Sequence, residues 1–352
     1  MFYFTKGAFL IQTRRVGKNI DIRVFVRCSR WFQQPHARMI KVSVKIEFLI
    51  LLILLFAWTV TAQKTPKPTI RTVSIPISIT QKGELDKNRP SEIIAVERLI
   101  VLEDKQEQQI LSIRSIEEAP MALAVIIQDD LSANFNLQLK DLREFITRLP
   151  RGTRVLIAYS RSGTTQIAQK FTNDLTKAAD AIRPVVSSST LSPRSPFDSV
   201  LDVLNRFDAL PAGRRAILLI SDGLDLSNGF ADSAPTQSVM LDRAILAAQR
   251  RSVAVFSIYS PTETTERSGS QAILNGQSSL LRLSDETGGR AFFQGNIAPI
   301  SFIPFFRDLS LLLNRQFLLT YLSTNMKRGY HKIEIKSTNP DIRIEYPKGY
   351  YY

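Results

Sequence analysis

Three oxygen-bearing side chains follow a short apolar segment of the chain at alternating positions. The segment Leu123-Ala-Val-Ile-Ile127 has no polar side chain, and Asp130, Ser132 and Asn134 come shortly after it. A short apolar run that ends in polar residues predicts a strand buried on both faces. The end of such a strand lies at the carboxyl edge of a parallel sheet, where open α/β folds bind ligands. We therefore expect the three side chains to converge on one point, with the oxygen donors that hard cations prefer.

A second acidic strand end offers further donors to the same point. The apolar run 216–220 ends in Ser221-Asp-Gly-Leu-Asp225. If both strands lie in one parallel sheet, Asp222 faces the same crevice as Asp130. A site with several hydroxyl oxygens and few direct carboxylates suits Mg²⁺ or Mn²⁺, which keep bound waters. An incomplete coordination shell could then accept a carboxylate from a partner protein.

The elements that must position these side chains alternate between strands and helices. Across residues 119–315, apolar runs of strand length alternate with segments whose apolar residues recur at helical spacing. This pattern predicts an α/β domain with a doubly wound, mostly parallel sheet flanked by helices. Residues 261–276 are polar and predict a loop, while the pair Gly288-Gly289 predicts the end of a helix.

Both flanks of this domain have the period-two pattern of β-strands. Residues 70–118 predict an amino-terminal β extension, and residues 316–352 predict strands that pack with it in one small β subdomain. Pro76 removes a backbone donor from one strand and therefore favours a position at a sheet edge. His331 lies in another strand, facing solvent or the small sheet, and is given no functional role.

Five short segments in a fixed order resemble a known family. Asp-x-Ser-x-Asn at 130–134 is close to the Asp-x-Ser-x-Ser metal-binding segment of von Willebrand factor type A (VWA) domains. The other four are Leu-Ile-Ser-Asp-Gly at 219–223, Leu-Ser-Asp-Glu-Thr-Gly-Gly-Arg-Ala-Phe-Phe at 283–293, Gln-Phe-Leu-Leu-Thr-Tyr at 316–321 and Tyr-Pro-Lys-Gly-Tyr at 346–350. Together they resemble the acidobacterial group of VWA-related proteins over about residues 70–352. The resemblance implies a VWA fold, related to Rossmann-like sheets, in which Asp222 contacts the metal beside the first segment.

The sequence departs from the metal pattern of that family at two positions. Asn134 replaces the second serine, which keeps a carbonyl oxygen but adds an amide donor. The family usually has a threonine four residues before the aspartate that corresponds to Asp198, and this chain has Arg194 there. A guanidinium has no lone pair with which to ligate a cation.

Two alternatives remain open at the position of that threonine. Ser195 or Ser192 could supply the missing hydroxyl if the loop shifts by one or two residues. Arg194 could instead lie over Asp130 and Asp222 and replace the metal by an ion pair. A separate possibility is that the carboxylates merely cap helices at the strand ends. The predicted ligands of Mg²⁺ or Mn²⁺ are Asp130, Ser132, Asn134, Ser195 and Asp222.

The charge of the chain is concentrated at its amino terminus. The formal net charge is +14, but residues 1–45 hold ten basic residues and one acidic residue. From residue 63 onward 36 basic residues oppose 30 acidic ones, with no basic stripe of interleaved aromatics, so nucleic-acid binding is not expected. The lone Cys28 excludes an intramolecular disulfide, and the two histidines, His36 and His331, argue against a His/Cys zinc site or a Ser-His-Asp triad.

Residues 39–62 have the three parts of a secretory signal peptide. A charged start at Met39 leads into the apolar run 48–60, and small residues follow up to Ala62. The apolar run is shorter than the ~20 residues of a membrane span. We therefore predict a translation start at Met39, residues 1–38 as a mis-called extension, and cleavage after Ala62. The alternative is an uncleaved membrane anchor, and either way the protein is secreted, periplasmic or in the cell envelope.

Three functions are compatible with these features. The first is an extracytoplasmic module that binds another protein through the Asp130/Asp222 face, with or without metal. The second is a metal-free structural component of the envelope. The third is an enzyme in which Asp129 and Asp130 form a phospho-acceptor pair. That reading needs a further mid-sheet aspartate and a lysine, and the sequence has no Walker loop or Gly-x-Ser-x-Gly elbow. A non-enzymatic function is therefore expected.

Overall fold

A computed structural model gives the fold of most of the chain from residue 70 onward and of three short segments before it. The described residues are 9–16, 19–26, 44–45, 70–81, 99–115, 118–187, 194–211, 213–230, 232–295 and 299–352. They fall into two compact units, Met1–Pro68 and Thr69–Tyr352. Within the described residues, no helix is both long and apolar enough to cross a membrane.

The described residues of the first unit form three strands. β1 (Phe9–Val16) pairs antiparallel with β2 (Asn19–Val26), and β3 (Val44–Lys45) pairs with the other side of β2. Two of these strands lie in residues 1–38, where the sequence pattern assigned no element. The apolar run 48–60 and the predicted cleavage site after Ala62 lie outside the described residues, so the signal peptide stays a prediction.

The described strands of the second unit form two sheets. The antiparallel sheet, here called the terminal sheet, has seven strands: β4 (Arg71–Gln81), β5 (Leu99–Glu103), β6 (Gln106–Arg114), β13 (Gln316–Ser323), β14 (Tyr330–Ser337), β15 (Ile342–Glu345) and β16 (Gly349–Tyr351). The mixed sheet has six: β7 (Met121–Gln128), β8 (Arg154–Arg161), β9 (Thr164–Thr172), β10 (Arg214–Ser221), β11 (Val253–Tyr259) and β12 (Ala291–Phe292). The unit therefore has an α/β part and a β part.

Helices cover both faces of the mixed sheet. They are α1 (Leu139–Thr147), α2 (Leu175–Asp180), α3 (Pro196–Arg206), α4 (Val239–Arg250), α5 (Glu263–Arg267), α6 (Ser270–Thr287) and α7 (Ile303–Asn314). The alternation of side chains along β7 explains this arrangement, since every residue of that strand is buried. Leu123 and Val125 pack in the cluster that holds α1 and α7, while Ala124 and Ile126 pack in the cluster that holds α3, α4 and α6. A strand covered on both faces has to be apolar on both.

The order of strands in the mixed sheet creates a crevice at one edge. The order is β12-β11-β10-β7-β8-β9, with β9 antiparallel to β8 and the other pairs parallel. The chain moves outward in one direction from β7 to β9 and in the other from β10 to β12. The loops after β7 and β10 therefore diverge to opposite faces, which opens a crevice at the carboxyl ends of these two strands.

The segment 261–276 was predicted to be a loop, and this prediction is wrong. It contains α5 and the first two turns of α6. Thr262 caps α5 by accepting a hydrogen bond from the N–H of Thr265 at 3.1 Å. The predicted glycine stop is confirmed, because α6 ends at Gly288 in the left-handed conformation (φ +81°).

The terminal sheet is larger than the small β subdomain that the sequence suggested. It joins β4, β5 and β6 to the four carboxyl-terminal strands in the order β15-β4-β13-β6-β5-β14-β16. Arg71 on β4 donates to the hydroxyl of Tyr350 on β16, five places away in that order, so the sheet curls back on itself. Val73, Ile75 and Tyr321 are among the side chains that fill its interior.

Pro76 was predicted at a sheet edge, but β4 lies between two neighbours. The pairing of β4 with β13 includes Pro76, opposite Leu318. The pairing with β15 extends only from Ser78 to Gln81. Pro76 therefore lies on a stretch of β4 with a single neighbour, so its missing N–H interrupts no ladder on the other side.

Candidate site at the ends of strands β7 and β10

Two consecutive aspartates at the end of β7 belong to different hydrogen-bond networks. Asp129 accepts from both terminal nitrogens of Arg183, at 2.6 Å and 3.0 Å, and Arg161 lies 3.7 Å away. The Arg183 guanidinium stacks over the Tyr159 ring at 4.0 Å from its centroid. Asp129 thus fixes the chain that follows α2, and only Asp130 remains for the crevice.

Arg194 lies between the carboxylates of Asp130 and Asp222. Its Nη1 donates to Oδ2 of Asp130, and its Nη2 donates to Oδ2 of Asp222 at 3.2 Å. The Arg194 side chain is only 5% exposed. Its backbone carbonyl accepts from the N–H of Leu226 at 2.8 Å, which ties it to the loop after β10. This is the ion-pair arrangement that the sequence analysis gave as one alternative to a metal site.

The Asp222 carboxylate is completely buried and saturated with donors. Its Oδ2 also accepts from the hydroxyls of Thr262 at 3.0 Å and Thr265 at 2.7 Å. Its Oδ1 accepts from the N–H of Leu224 at 3.1 Å. A buried carboxylate is costly unless it is paired and hydrogen-bonded, and these donors together with Arg194 supply that compensation.

Gln128 connects the two strand ends. Its Oε1 accepts from the Ser221 hydroxyl at 2.6 Å and from the N–H of Asp222 at 3.1 Å. Its Nε2 donates to Oδ1 of Asp130 at 2.9 Å. Because one amide serves both carboxylate-bearing loops, it fixes their spacing. We call Gln128, Asp130, Arg194, Asp222 and Thr262 together the strand-end site.

Burial raises the pKa of Asp130 above its ordinary value. The adjacent Arg194 opposes this increase, whereas the negative charge of Asp222 adds to it. Two carboxylates share a single guanidinium here, so their repulsion is only partly compensated.

The loop after β10 packs directly against helix α6. Gly223 has φ +68°, and a Cβ atom there would lie 2.3 Å from the carbonyl oxygen of Gly276. A Cβ atom on Gly276 would lie 2.0 Å from the carbonyl oxygen of Asp222. Any side chain at either position would push the loop and the helix apart, so the position of Asp222 depends on two glycines.

The remaining predicted ligands lie in different environments. Ser132 is buried, and its hydroxyl has no hydrogen-bond partner in the part of the chain that the structure describes, while its N–H donates to the carbonyl of Pro261 at 2.9 Å. Asn134 is exposed in the 3₁₀ turn Ala133–Gln138. Ser195 caps α3 by accepting from the N–H of Phe197 at 3.3 Å. Ser192 lies outside the described residues.

As arranged, these residues do not fit Mg²⁺ or Mn²⁺. The space between Asp130 and Asp222 is taken by a guanidinium that is hydrogen-bonded to both. The Ser195 hydroxyl is engaged by a helix, and Asn134 is exposed. A cation could enter only after Arg194 had left, because two positive charges at contact distance repel.

The sequence analysis missed three side chains that contact Asp130 or Asp222. Thr262 and Thr265 follow β11, the next parallel strand beyond β10. A signal was present, since the polar residues after a third apolar strand belong at the same edge of the sheet as Asp130 and Asp222. Gln128 was the one polar residue at the end of an apolar run, and its amide turned out to bridge both acidic loops.

No protein-family model matches the sequence, and no curated protein matches it. Solved structures with similarity include the von Willebrand factor domain of the type V pili tip protein Mfa5 from Porphyromonas gingivalis. It has 12% identity and a TM-score of 0.41, and the match covers 56% of this chain and 95% of that one. The von Willebrand factor type A protein from Catenulispora acidiphila has 11% identity, a TM-score of 0.39 and coverages of 80% and 73%.

A third similar structure is the aerotolerance-related membrane protein from Bacteroides fragilis. It has 12% identity and a TM-score of 0.37, with coverages of 55% of this chain and 98% of that one. Identities and TM-scores of this size carry no argument about function. The α/β fold of residues 119–315, a mixed sheet flanked by helices, rests on the strand pairing described above.

Proposed function

We propose that this chain is an extracytoplasmic, VWA-like module that binds another protein through the Asp130/Asp222 face. In this proposal Arg194 supplies the positive charge at the strand-end site in place of Mg²⁺ or Mn²⁺. The observation that carries it is the buried guanidinium hydrogen-bonded to both carboxylates. The reversal of strand order between β7 and β10 supports a doubly wound sheet of this type. The ordered motifs of the acidobacterial group add support from sequence.

An arginine and a metal ion would give the face different properties. A divalent ion with open positions attracts a partner's carboxylate, whereas the Arg194 guanidinium is enclosed by its two acidic partners. The crevice is therefore assembled without an ion, and binding would not respond to a chelator. The partner would be held by shape and apolar contact more than by a coordinate bond.

Exposed aliphatic side chains beside the crevice favour a protein partner over a purely structural role. Leu137, Val186 and Ile300 are 77%, 67% and 82% exposed, and we call them the apolar rim. Asn136 and Val185 exchange two hydrogen bonds, at 3.1 Å and 2.9 Å, which brings two of these segments together. The amide of Gln138 donates to the carbonyl of Ile300 at 3.1 Å, which adds the third. Adjacent exposed apolar groups of this kind mark interaction surfaces.

The enzymatic alternative has less support from the same contacts. Both oxygens of Asp129 accept from Arg183, and those of Asp130 accept from Gln128 and Arg194. Hydrogen bonds and ion pairs to these oxygens weaken them as nucleophiles, which lowers the support for a phospho-acceptor role. A metal-free structural component of the envelope is the remaining alternative, and it differs from our proposal in needing no partner at this face.

Titration calorimetry of Mg²⁺, which the His331-containing region of the terminal sheet is not expected to bind, tests the role of Arg194. We expect no heat of binding for the native chain and measurable binding for Arg194→Thr, which restores a hydroxyl and opens the space between the carboxylates. Adding Asp130→Ala to that variant should abolish the binding. Tight binding by the native chain would contradict the replacement of the metal by arginine.

Capture of partners from a cell-envelope extract in the presence of a chelator tests the binding face. Leu137→Lys should lose any specifically captured protein, because it places a charge in the apolar rim. Leu111→Lys is the matched control, since Leu111 is also an exposed leucine, 47% exposed, but lies on β6 of the terminal sheet. Equal capture by both variants would favour the structural alternative.

A further inference from the structure

Three side chains of the terminal sheet lie at the spacing of metal ligands, away from the strand-end site. Glu103 ends β5, Asp104 follows it in the turn to β6, and His331 lies on β14. The Nδ1 atom of His331 is 2.8 Å from Oδ2 of Asp104 and 3.5 Å from Oε1 of Glu103. Their three donor atoms lie within 4.8 Å of one another. We call these residues the His331 cluster.

The second ring nitrogen of His331 is fixed by the backbone. Its Nε2 lies 2.8 Å from the carbonyl oxygen of Lys327, which can only accept a hydrogen bond. The ring is buried and stacks on Tyr350 with centroids 5.2 Å apart. Histidines that bind metals characteristically donate their other N–H to a carbonyl or carboxylate, which fixes the ring and its tautomer. Here Nδ1 is therefore directed at the two carboxylates.

Glu103 supplies an independent sign that the cluster takes a ligand. Its side chain is completely buried. Its Oε1 accepts from the hydroxyls of Ser323 at 2.9 Å and Tyr350 at 3.0 Å, but its Oε2 has no hydrogen-bond partner among the described residues. The buried Tyr321 hydroxyl interacts with the same carboxylate. A buried carboxylate oxygen without a donor is costly, and a bound cation would remove that cost.

Arg71 is the other positive group near Glu103, and it is engaged elsewhere. It lies 3.9 Å from Oε1 of Glu103 but donates to the Tyr350 hydroxyl and, at 3.1 Å, to the carbonyl of Asn325. Its guanidinium also lies over the Tyr352 ring at 3.7 Å. Arg71 is therefore only a distant counter-charge for Glu103.

We propose that the His331 cluster binds a divalent transition-metal ion of the zinc class. The ligands are Nδ1 of His331 and one carboxylate oxygen each from Asp104 and Glu103, and water completes a four-coordinate shell. The metal replaces the proton that Nδ1 shares with Asp104, and that proton leaves to solvent. The Nε2–H continues to donate to Lys327. Asp104 is 38% exposed, so the ion has a path from solvent.

The donor set distinguishes this ion from the one expected at the strand ends. An imidazole nitrogen with carboxylates suits Zn²⁺ and its neighbours, whereas Mg²⁺ selects an all-oxygen octahedral shell with several waters. The bound ion would join the turn after β5 to β14 and so stabilise the curled sheet. The proposal does not depend on the function assigned to the strand-end site.

Thermal unfolding of the full chain, freed of metal by a chelator and then given excess zinc chloride, is the first test. We expect a rise in melting temperature of roughly 5 °C at about a hundredfold excess over the dissociation constant. Magnesium chloride should produce no such rise. Calorimetry in two buffers of different ionisation enthalpy should show release of about one proton for each zinc bound.

Asp104→Asn is the decisive variant. Asp104 has φ +49°, a conformation that asparagine tolerates well, and the amide oxygen can still accept from His331. It should fold and lose the zinc shift. Asp341→Asn, which removes the same charge from an exposed turn of the terminal sheet, should keep it. His331→Gln is a second test, since it retains a donor to Asp104 but is a poor zinc ligand.

The outcomes separate the His331 cluster from other sites. A zinc shift that persists in Asp130→Ala and disappears in Asp104→Asn and His331→Gln supports the proposal. If zinc does not raise the melting temperature of the native chain, the proposal is wrong, and the cluster is held together by its hydrogen bonds alone. An equal shift in Asp104→Asn also overturns it, because the ion would then bind elsewhere.

Discussion

The strand-end site and the His331 cluster contain the same kinds of charge but differ in their basic side chain. The first joins Asp130 and Asp222 through an arginine, and the second joins Glu103 and Asp104 through a histidine. In each, one carboxylate is completely buried and the other is partly exposed. A guanidinium keeps its proton and cannot ligate, whereas an imidazole nitrogen exchanges a proton for a metal ion.

The basic side chain therefore decides whether the positive charge between the two carboxylates can be replaced by a metal ion. Arg194 forms its contacts with two acids and fills the space between them, so it joins the loops after β7 and β10 without an ion. The His331 cluster has an unpartnered carboxylate oxygen and a ring nitrogen that faces two acceptors. A pair of neighbouring carboxylates can therefore form a structural ion pair or offer ligands to a metal ion, and the type of the basic residue beside them decides which.

The largest expected effect is the loss of stability on removing Arg194. Arg194→Leu leaves Asp130 and Asp222 close together and buried without a counter-charge, which should cost about 3–5 kcal/mol of unfolding free energy. Chemical denaturation measures it, with Arg148→Leu as the control because Arg148 is an exposed arginine in a surface ion pair. A loss below about 1 kcal/mol would mean that the pair is not permanent.

Removing the histidine should cost less. His331→Phe keeps an aromatic ring against Tyr350 but deletes both hydrogen bonds of the imidazole, so we expect a loss of about 1–3 kcal/mol in metal-free protein. The cost is smaller than for Arg194 because Asp104 is partly exposed and water can replace one donor. A larger loss than in Arg194→Leu would reverse the comparison.

The two partly exposed aspartates should respond to pH in opposite directions. Burial raises the pKa of Asp130. Its carboxylate is therefore disfavoured in the folded state, and the stability of the native chain relative to Asp130→Asn should fall as pH rises above about 4. Burial opposes but does not prevent a lowered pKa at Asp104, where hydrogen bonds from His331 and the Lys332 N–H favour the carboxylate.

The native chain should therefore be more stable than Asp104→Asn above about pH 4. This difference in unfolding free energy should be lost as the pH falls through the lowered pKa of Asp104. Denaturation curves for the native chain and both variants, taken from acid to neutral pH, measure the two slopes. Slopes of the same sign would show that the two environments are not opposed.

The smallest effect is expected at Asn134. Asn134→Ser restores the serine of the VWA metal pattern at an exposed position, so stability should change by less than about 0.5 kcal/mol. Mg²⁺ binding should still be absent by calorimetry while Arg194 is present. Binding of Mg²⁺ by this variant would show that Asn134, and not Arg194, excludes the metal.

The parts of the fold with simple periodicity could be predicted from the sequence. The apolar run that became β7 is covered on both faces, and the glycine pair after α6 ends that helix. The start of α6 could not be predicted, because Gly276 in its interior resembles a loop residue. Glycine costs roughly 1 kcal/mol in a helix. It is present here because a side chain would collide with the loop that carries Asp222.

The site was less predictable than the strands that support it. Asp130 and Asp222 could be identified because acidic residues follow two apolar runs. The position of Arg194 could not be decided, because it follows a loop without periodicity and its side chain could face the crevice or solvent. His331 was expected to have no role, since a strand pattern does not show that a sheet curls and encloses one of its residues.

Helix α6 connects the two sheets, because it packs on the Asp222 loop through Gly223 and Gly276 and also contacts the terminal sheet. The helix has 18 residues, or a length of ~27 Å, and touches the loop of Asp222 near its middle. Near its carboxyl end the carbonyl of Glu286 accepts from the N–H of Lys348, in the segment that leads into β16. Because α6 contacts the Asp222 loop at Gly276 and the terminal sheet at Glu286, we expect a displacement of that loop to bend the helix or to move the terminal sheet. The segment that leads into β16 therefore helps to hold the Asp222 loop in place through helix α6.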